Sequence, residues 1–356
     1  MGDRNDCLTF TTIMSKTMTI RISFFAMLLC CCLGSKLALA QTVYTFTPAG
    51  ATGTTGPTQA MIDTAYAGTN LDGQVTSVGG IQNWVVPASG PYLIEAFGGQ
   101  GYGPFGGRGA HIAGEFNLNA GDTLKILVGQ RAPPYLNYPS TTYNHQFGGG
   151  GGSFVTMTDN TPLVVAGGGG GSHVASYLAA NDGQITTNGA AGAAGVLIGA
   201  GGTGGLGGQQ ATSADGGGGL LGNGNGTAAG QAFVNGGLGG SDEGLGGFGG
   251  GGGTSSWNNY RGGGGGGYSG GGGGNNDSNT ACCAAGGGGG SYNAGTNPVN
   301  LAGVQLGDGL VRITFLDLPP SAAARSIPVL TPPGLIAMLV LMAFGVAGTL
   351  RKRTRR

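Results

Sequence analysis

The stretch RGGGGGGYSGGGGG, residues 261–274, decides how this chain is read. Its two glycine runs, 262–267 and 270–274, flank Tyr268 and Ser269, and five further runs stand at 148–152, 167–171, 216–219, 249–253 and 286–290. In all, 84 of 356 residues are glycine and 8% are charged, which is far from the composition of a soluble enzyme. Flexible linkers are one interpretation, because ordering glycine costs the most backbone entropy and returns no buried side chain. The near-equal run lengths argue against it. So do the bordering aromatics Phe147, Phe154, Phe248, Trp257, Tyr260, Tyr268 and Tyr292, since flexible linkers are rich in serine and poor in rings. The alternative is an ordered layer in which each run is one pass of an extended threefold helix. At about 3.1 Å per residue, five residues cross roughly 16 Å and bond sideways through amide and carbonyl, with only hydrogen tolerated on the crowded Cα. A strict Gly-X-Y period is missing and proline is sparse, which excludes collagen.

Outward from the runs, alternating apolar residues predict short strands: Tyr92-Ile94-Ala96, Ile112 to Leu118, Leu124-Ile126-Val128, Phe154 to Met157, Leu163 to Ala166 and, far downstream, Leu310 to Leu316. The turn Asn119-Ala120-Gly121-Asp122 predicts a hairpin between the second and third of these, and Asp159 to Pro162 a turn between the fourth and fifth. Short strands, frequent turns and no helical periodicity predict an all-β antiparallel sandwich or jelly roll spanning residues 41–318.

Both ends read as targeting segments. Arg4, Lys16 and Arg21 precede the apolar stretch Ile22 to Leu33 and the small-residue site Ala38-Leu39-Ala40, predicting a signal peptide over 1–40 with cleavage after Ala40. Residues 334–350 form an uncharged apolar run followed by Arg351, Lys352, Arg353, Arg355 and Arg356, which predicts a transmembrane helix with a basic cytoplasmic tail, 351–356. The module between the ends keeps five basic and 13 acidic side chains, a net charge of −8. That balance argues against nucleic acid as a partner. Of six cysteines only the neighbours Cys282 and Cys283 fall in the module, so free thiols or an intermolecular link are expected rather than a disulfide framework.

The segments Phe46 to Gly53, Gly56 to Ala60, Ala65-Tyr66, Gly80 to Pro87, Leu124 to Gln130, Phe154-Val155 and Leu163 to Gly167 resemble, in order, the glycine-rich extracellular domain of the anaplastic lymphoma kinase and leukocyte tyrosine kinase receptors. The resemblance implies a jelly roll similar to tumour necrosis factor with an inserted bundle of polyglycine helices. Where those receptors carry a pair of cysteines this chain has Ala49 and Ile62, so the implied bridge is missing. No kinase follows, and kinase activity is not carried over. Within the linker 319–333, Ile327, Pro328 and Leu330 resemble the bacterial IPTL-type C-terminal sorting signal, implying sorting machinery as a partner and a Gram-negative envelope as the location.

No chemistry-bearing motif survives scrutiny. Matches to G-x-G-x-x-G lack the strand, helix and following acid that dinucleotide binding needs, and no Gly-Lys-Ser/Thr occurs. Gly267-Tyr268-Ser269-Gly270-Gly271 fits the nucleophile-elbow pattern but lies between glycine runs. His111, His145 and His173 are too far apart in sequence to form a metal motif. The expectation is therefore no catalysis, cofactor or metal. Instead a rigid scaffold would present loops to an unidentified protein or glycan at a cell surface, with Arg131, Tyr135, Tyr138, Tyr143, Trp257, Tyr260 and Arg261 as candidate contacts. Those residues have a second interpretation, as caps on the glycine passes. A purely structural envelope or matrix protein is the alternative function.

Overall fold

The computed structural model describes residues 41–134, 146–173, 178–193, 197–255, 261–275 and 284–316. The predicted signal peptide, sorting motif, membrane helix and tail lie outside them. No helix among the described residues is long and apolar enough to cross a membrane.

Eleven main strands form two antiparallel sheets: β1 Val43–Phe46, β2 Val75–Val78, β3 Ile81–Val85, β4 Gly90–Phe97, β5 Gly109–Leu118, β6 Thr123–Leu127, β7 Ser153–Met157, β8 Pro162–Ala166, β9 Tyr292–Asn293, β10 Thr296–Gln305 and β11 Leu310–Phe315. The first sheet runs β1-β11-β4-β5-β10, and the second β9-β8-β7-β6-β3-β2. All six strands expected from the alternation are present. The turn at 119–122 does not close a hairpin, however, because β5 and β6 lie in different sheets and the chain crosses between them there. Helix α1, Gln59–Tyr66, was also not expected. Its signals are local: Thr58 caps the first turn by accepting the Met61 N–H, and Ile62 and Tyr66, four residues apart, are its buried face.

One apolar core joins the sheets. Phe46, Ile94, Ala96, Ile112, Val311 and Ile313 from the first meet Trp84, Leu124, Ile126, Val155, Val164 and Ala166 from the second. Trp84 anchors it, with its ring 4.7 Å from Tyr44 and 5.8 Å from Phe46. Each fully buried aromatic or branched side chain contributes about 1.5–3 kcal/mol. Ala49 and Ile62 are both buried in this cluster, so apolar packing stands where the resemblance implied a bridge.

The second sheet is buried on its other face as well. Ile81, Leu127, Phe154 and Val165 pack against Leu220, Phe233 and Phe248 of the glycine-rich region. Phe154 and Phe233 stack at 5.0 Å, and Tyr268 and Tyr292 at 4.9 Å. The glycine-rich region is thus a third layer.

Inside that layer the glycine runs are extended, hydrogen-bonded passes. Gly168 and Gly171 donate to Gly266 and Gly263, at 2.8 and 2.9 Å, while Gly263 and Gly266 donate to Phe147 and Gly150, at 2.8 and 2.9 Å. Gly264 and Gly267 turn instead to Asp215 and Gly218, and Gly265 to Gly287. Gly286 and Gly289 donate to Gly171 and Gly168, and Gly287 and Gly290 to Gly272 and Ser269. Residues three apart therefore share a neighbour, which is the signature of three residues per turn. None of the glycines in runs 148–152, 167–171, 216–219, 262–267, 270–274 and 286–290 has a positive φ. A Cβ at any of them would fall under 3.0 Å from a backbone atom of a neighbouring pass. For most of them the obstructing atom is a carbonyl oxygen, so the Cα–H itself points at that oxygen and adds a weak contact. Run 249–253 departs from the pattern. Gly249 and Gly250 have φ of 103° and 79° and both donate to Gly237, so this run begins as a turn.

Candidate partner-binding site

Short ladders close one end of the glycine layer. Leu197–Ile198, Gly274–Asn275, Arg261–Gly262 and Gln146–Phe147 form a four-stranded patch, and Ser172–His173 pairs with Ala284–Ala285. In register, Asn275 stands beside both Leu197 and Arg261, Arg261 beside Gln146, His173 beside Ala284, and Ala193 beside Ala285. These residues are the stems of segments 135–145, 174–177, 194–196, 256–260 and 276–283, which lie outside the described residues. Tyr135, Tyr138, Tyr143, Trp257 and Tyr260 are in them. The fold pairs one stem of each candidate segment: Gln146, the residue following the first, stands beside Arg261, the residue following the second. The sequence carries no signal for that pairing, since 115 positions separate the two residues.

Arg261 itself is 3% exposed, and its guanidinium donates to the Ser255 carbonyl. That is the geometry of a cap on a glycine pass rather than of an exposed contact. Nearby, Gln146 donates to Glu243 Oε2 at 2.5 Å. Buried Asp215 accepts from the Ala228 N–H at 2.6 Å and from Gln210 Nε2 at 2.7 Å. Burial pushes its carboxyl above the ordinary carboxylate range. The two hydrogen bonds oppose that shift, the Asp242 charge adds to it, and Arg261 offsets a little.

Three rings line the same end: Tyr102 stacks on Phe147 at 5.8 Å, and Phe147 on His173 at 5.1 Å. Burial holds the His173 imidazole below its ordinary value. Composition did not single out Tyr102 or His173 as members of a stack; their only sequence signal is that each sits within two residues of a glycine. Arg131 is exposed, and its backbone N–H donates to Asp308 Oδ1 at 2.8 Å. Its loop is fixed through Gln100. That residue bonds Gly307 through N–H to carbonyl (2.8 Å) and through Oε1 to N–H (3.0 Å), while its carbonyl accepts from Ala132 at 3.0 Å.

Among the described residues, Ser269 and His111 both have partners. Ser269 is fully buried, and its Oγ accepts the Gly205 N–H, so the elbow-like motif presents no nucleophile. His111 lies 3.2 Å from Glu95 and stacks on Phe97 at 4.1 Å. Burial lowers its pKa, against the opposing pull of Glu95. Among the described residues no group of three His, Cys, Asp or Glu side chains is placed to hold a metal ion.

No protein-family profile matches the chain. Over 101 residues it is 38% identical to the leukocyte tyrosine kinase receptor of Mus musculus, an alignment covering 25% of this chain and 11% of the receptor. The chain thus spans 11% of the length of that relative, an extent that supports a distant relationship and transfers no catalytic activity.

Proposed function

We propose that this is an exported, membrane-anchored, non-catalytic surface protein that binds or adheres to a protein or glycan partner. In this proposal the fold is a tumour-necrosis-factor-like jelly roll braced by a polyglycine II bundle. A signal peptide ending at Ala40, a sorting motif at Ile327, Pro328 and Leu330, and a membrane helix over 334–350 place the module outside a Gram-negative cytoplasm. The observation that carries the binding role is the convergence of five segment stems on one end of a close-packed glycine layer. Aromatic, asparagine and serine side chains held on a rigid support lose little entropy when they engage a partner. The segments 135–145 and 256–260 supply four tyrosines and a tryptophan.

The test expresses the full chain on Gram-negative cells and measures saturable adhesion to host and bacterial surfaces. A second strain carries Tyr135→Ala, Tyr138→Ala, Tyr143→Ala and Trp257→Ala. Saturable binding that disappears with these substitutions, at unchanged surface exposure, supports the proposal. Undiminished binding refutes the site, and no saturable binding to any surface favours a matrix component without a ligand.

A further inference from the structure

Lys125 stands near the middle of β6, on the face of the second sheet that the glycine layer covers. Its ammonium lies 5.4 Å from the centre of the Phe233 ring and donates to Asn160 Oδ1 at 2.5 Å. Neither ion pair among the described residues involves it. A half-buried ammonium that faces a carboxamide and a ring, instead of a carboxylate, retains much of its desolvation cost. The backbone that carries the carboxamide is fixed by its turn. Asn160 sits in the turn between β7 and β8 at φ 69°, with its N–H on the Met157 carbonyl at 3.1 Å. Asp159, one residue earlier, accepts the Thr161 N–H at 2.9 Å. That hydrogen bond, with a smaller contribution from the Lys125 charge, keeps its exposed carboxyl below the ordinary range.

We propose that Lys125 and Asn160 become joined by an isopeptide bond. The Lys125 ammonium gives up one proton to solvent, which returns it to the leaving nitrogen. The neutral Nζ adds to Asn160 Cγ, the Cγ–Nδ2 bond breaks, and Nδ2 departs as ammonium with the two protons given up by Nζ. No oxidant or reductant takes part. The product is a neutral amide in place of a half-buried charge. It staples β6 to the β7–β8 turn beneath the glycine layer, a fixture suited to a protein displayed under mechanical load.

The test is peptide mapping by mass spectrometry of the full chain purified from its host, before and after prolonged incubation at mildly alkaline pH. A branched peptide linking Lys125 Nζ to Asn160 Cγ, lighter by one ammonia than its two linear parts, is expected. Lys125→Met and Asn160→Ala chains yield only linear peptides. Cyclisation of a new N-terminal Gln41 also loses ammonia, so the branched peptide and not the intact mass is the readout. Complete tryptic cleavage after Lys125, with an unmodified Asn160 peptide before and after the alkaline incubation, overturns the proposal.

Discussion

Replacing Gly266 by alanine tests the packing of the glycine layer at its centre. Gly266 donates to Gly150 at 2.9 Å and accepts from Gly168 at 2.8 Å, and its Cα–H is directed at the Gly249 carbonyl. An added methyl cannot rotate away, and the passes on every side are backbone rather than flexible side chain. Overpacking of a rigid interior costs about 1–3 kcal/mol. Displacing the pass weakens two hydrogen bonds, each worth roughly 0.5–1.5 kcal/mol. Against this, alanine narrows the unfolded ensemble by about 0.4–1 kcal/mol. The clash wins, with a net loss of about 3 kcal/mol, or roughly 6–12 °C in Tm for a domain of this size. The control is Ala191→Ser in the same layer, where an exposed outward position predicts a change within about 0.5 kcal/mol. Denaturant titration of the two variants gives the comparison. Equal stability of Gly266→Ala and the parent would refute close packing of the passes.

Phe233→Ala removes the ring that stacks on Phe154 and underlies Lys125. It is expected to cost about 3–5 kcal/mol by the same titration, because the cavity opens between the sheet and a layer that cannot collapse into it. Burial raises the carboxyls of Asp182 and Asp215, so their protonated forms suit the folded state. The stability they contribute is complete below the ordinary carboxylate value and is lost as the pH climbs through the raised folded values. Tm should therefore rise as the pH is lowered from 7 toward that range, and Asp215→Asn should raise the Tm at pH 7 while flattening the profile. An unchanged slope in Asp215→Asn would assign the effect to the net charge of the module instead. Trp257→Ala alone is expected to weaken adhesion by about 2 kcal/mol, some 30-fold, in the saturable-binding assay.

The sandwich was legible because β4 buries alternate residues, the period that alternation reports, while β7 and β8, covered on both faces, still read as short apolar runs bounded by turns. Its topology was not. A polar four-residue turn such as 119–122 looks the same whether it closes a hairpin or carries the chain from one sheet to the other. The exposed β10 also escaped notice, since most of its side chains face solvent and leave no alternation. The glycine runs announced an ordered layer through their equal lengths, yet a finer rule went unread. Where a pass lies at the surface of the layer, glycine recurs every third residue on the packed side. Gly189 and Gly192 take neighbours at Gly202 and Gly199 while Asn188 and Ala191 face outward. Interior passes such as 262–267 are surrounded and carry no side chain at all. The candidate site was legible only as a list of aromatic residues. Its assembly depends on Arg261 meeting Gln146, a pairing set by how the passes stack and not by any local signal.

Amide hydrogen exchange of the glycine runs, followed by NMR on the folded protein with 15N-labelled glycine, tests the central claim most directly. Passes bonded on three sides should exchange with the core, about a thousandfold or more slower than an unstructured chain, and Gly168, Gly265, Gly271 and Gly287 should be among the slowest. Exchange of those four amides at unstructured rates, with β4 and β11 still protected, would contradict it.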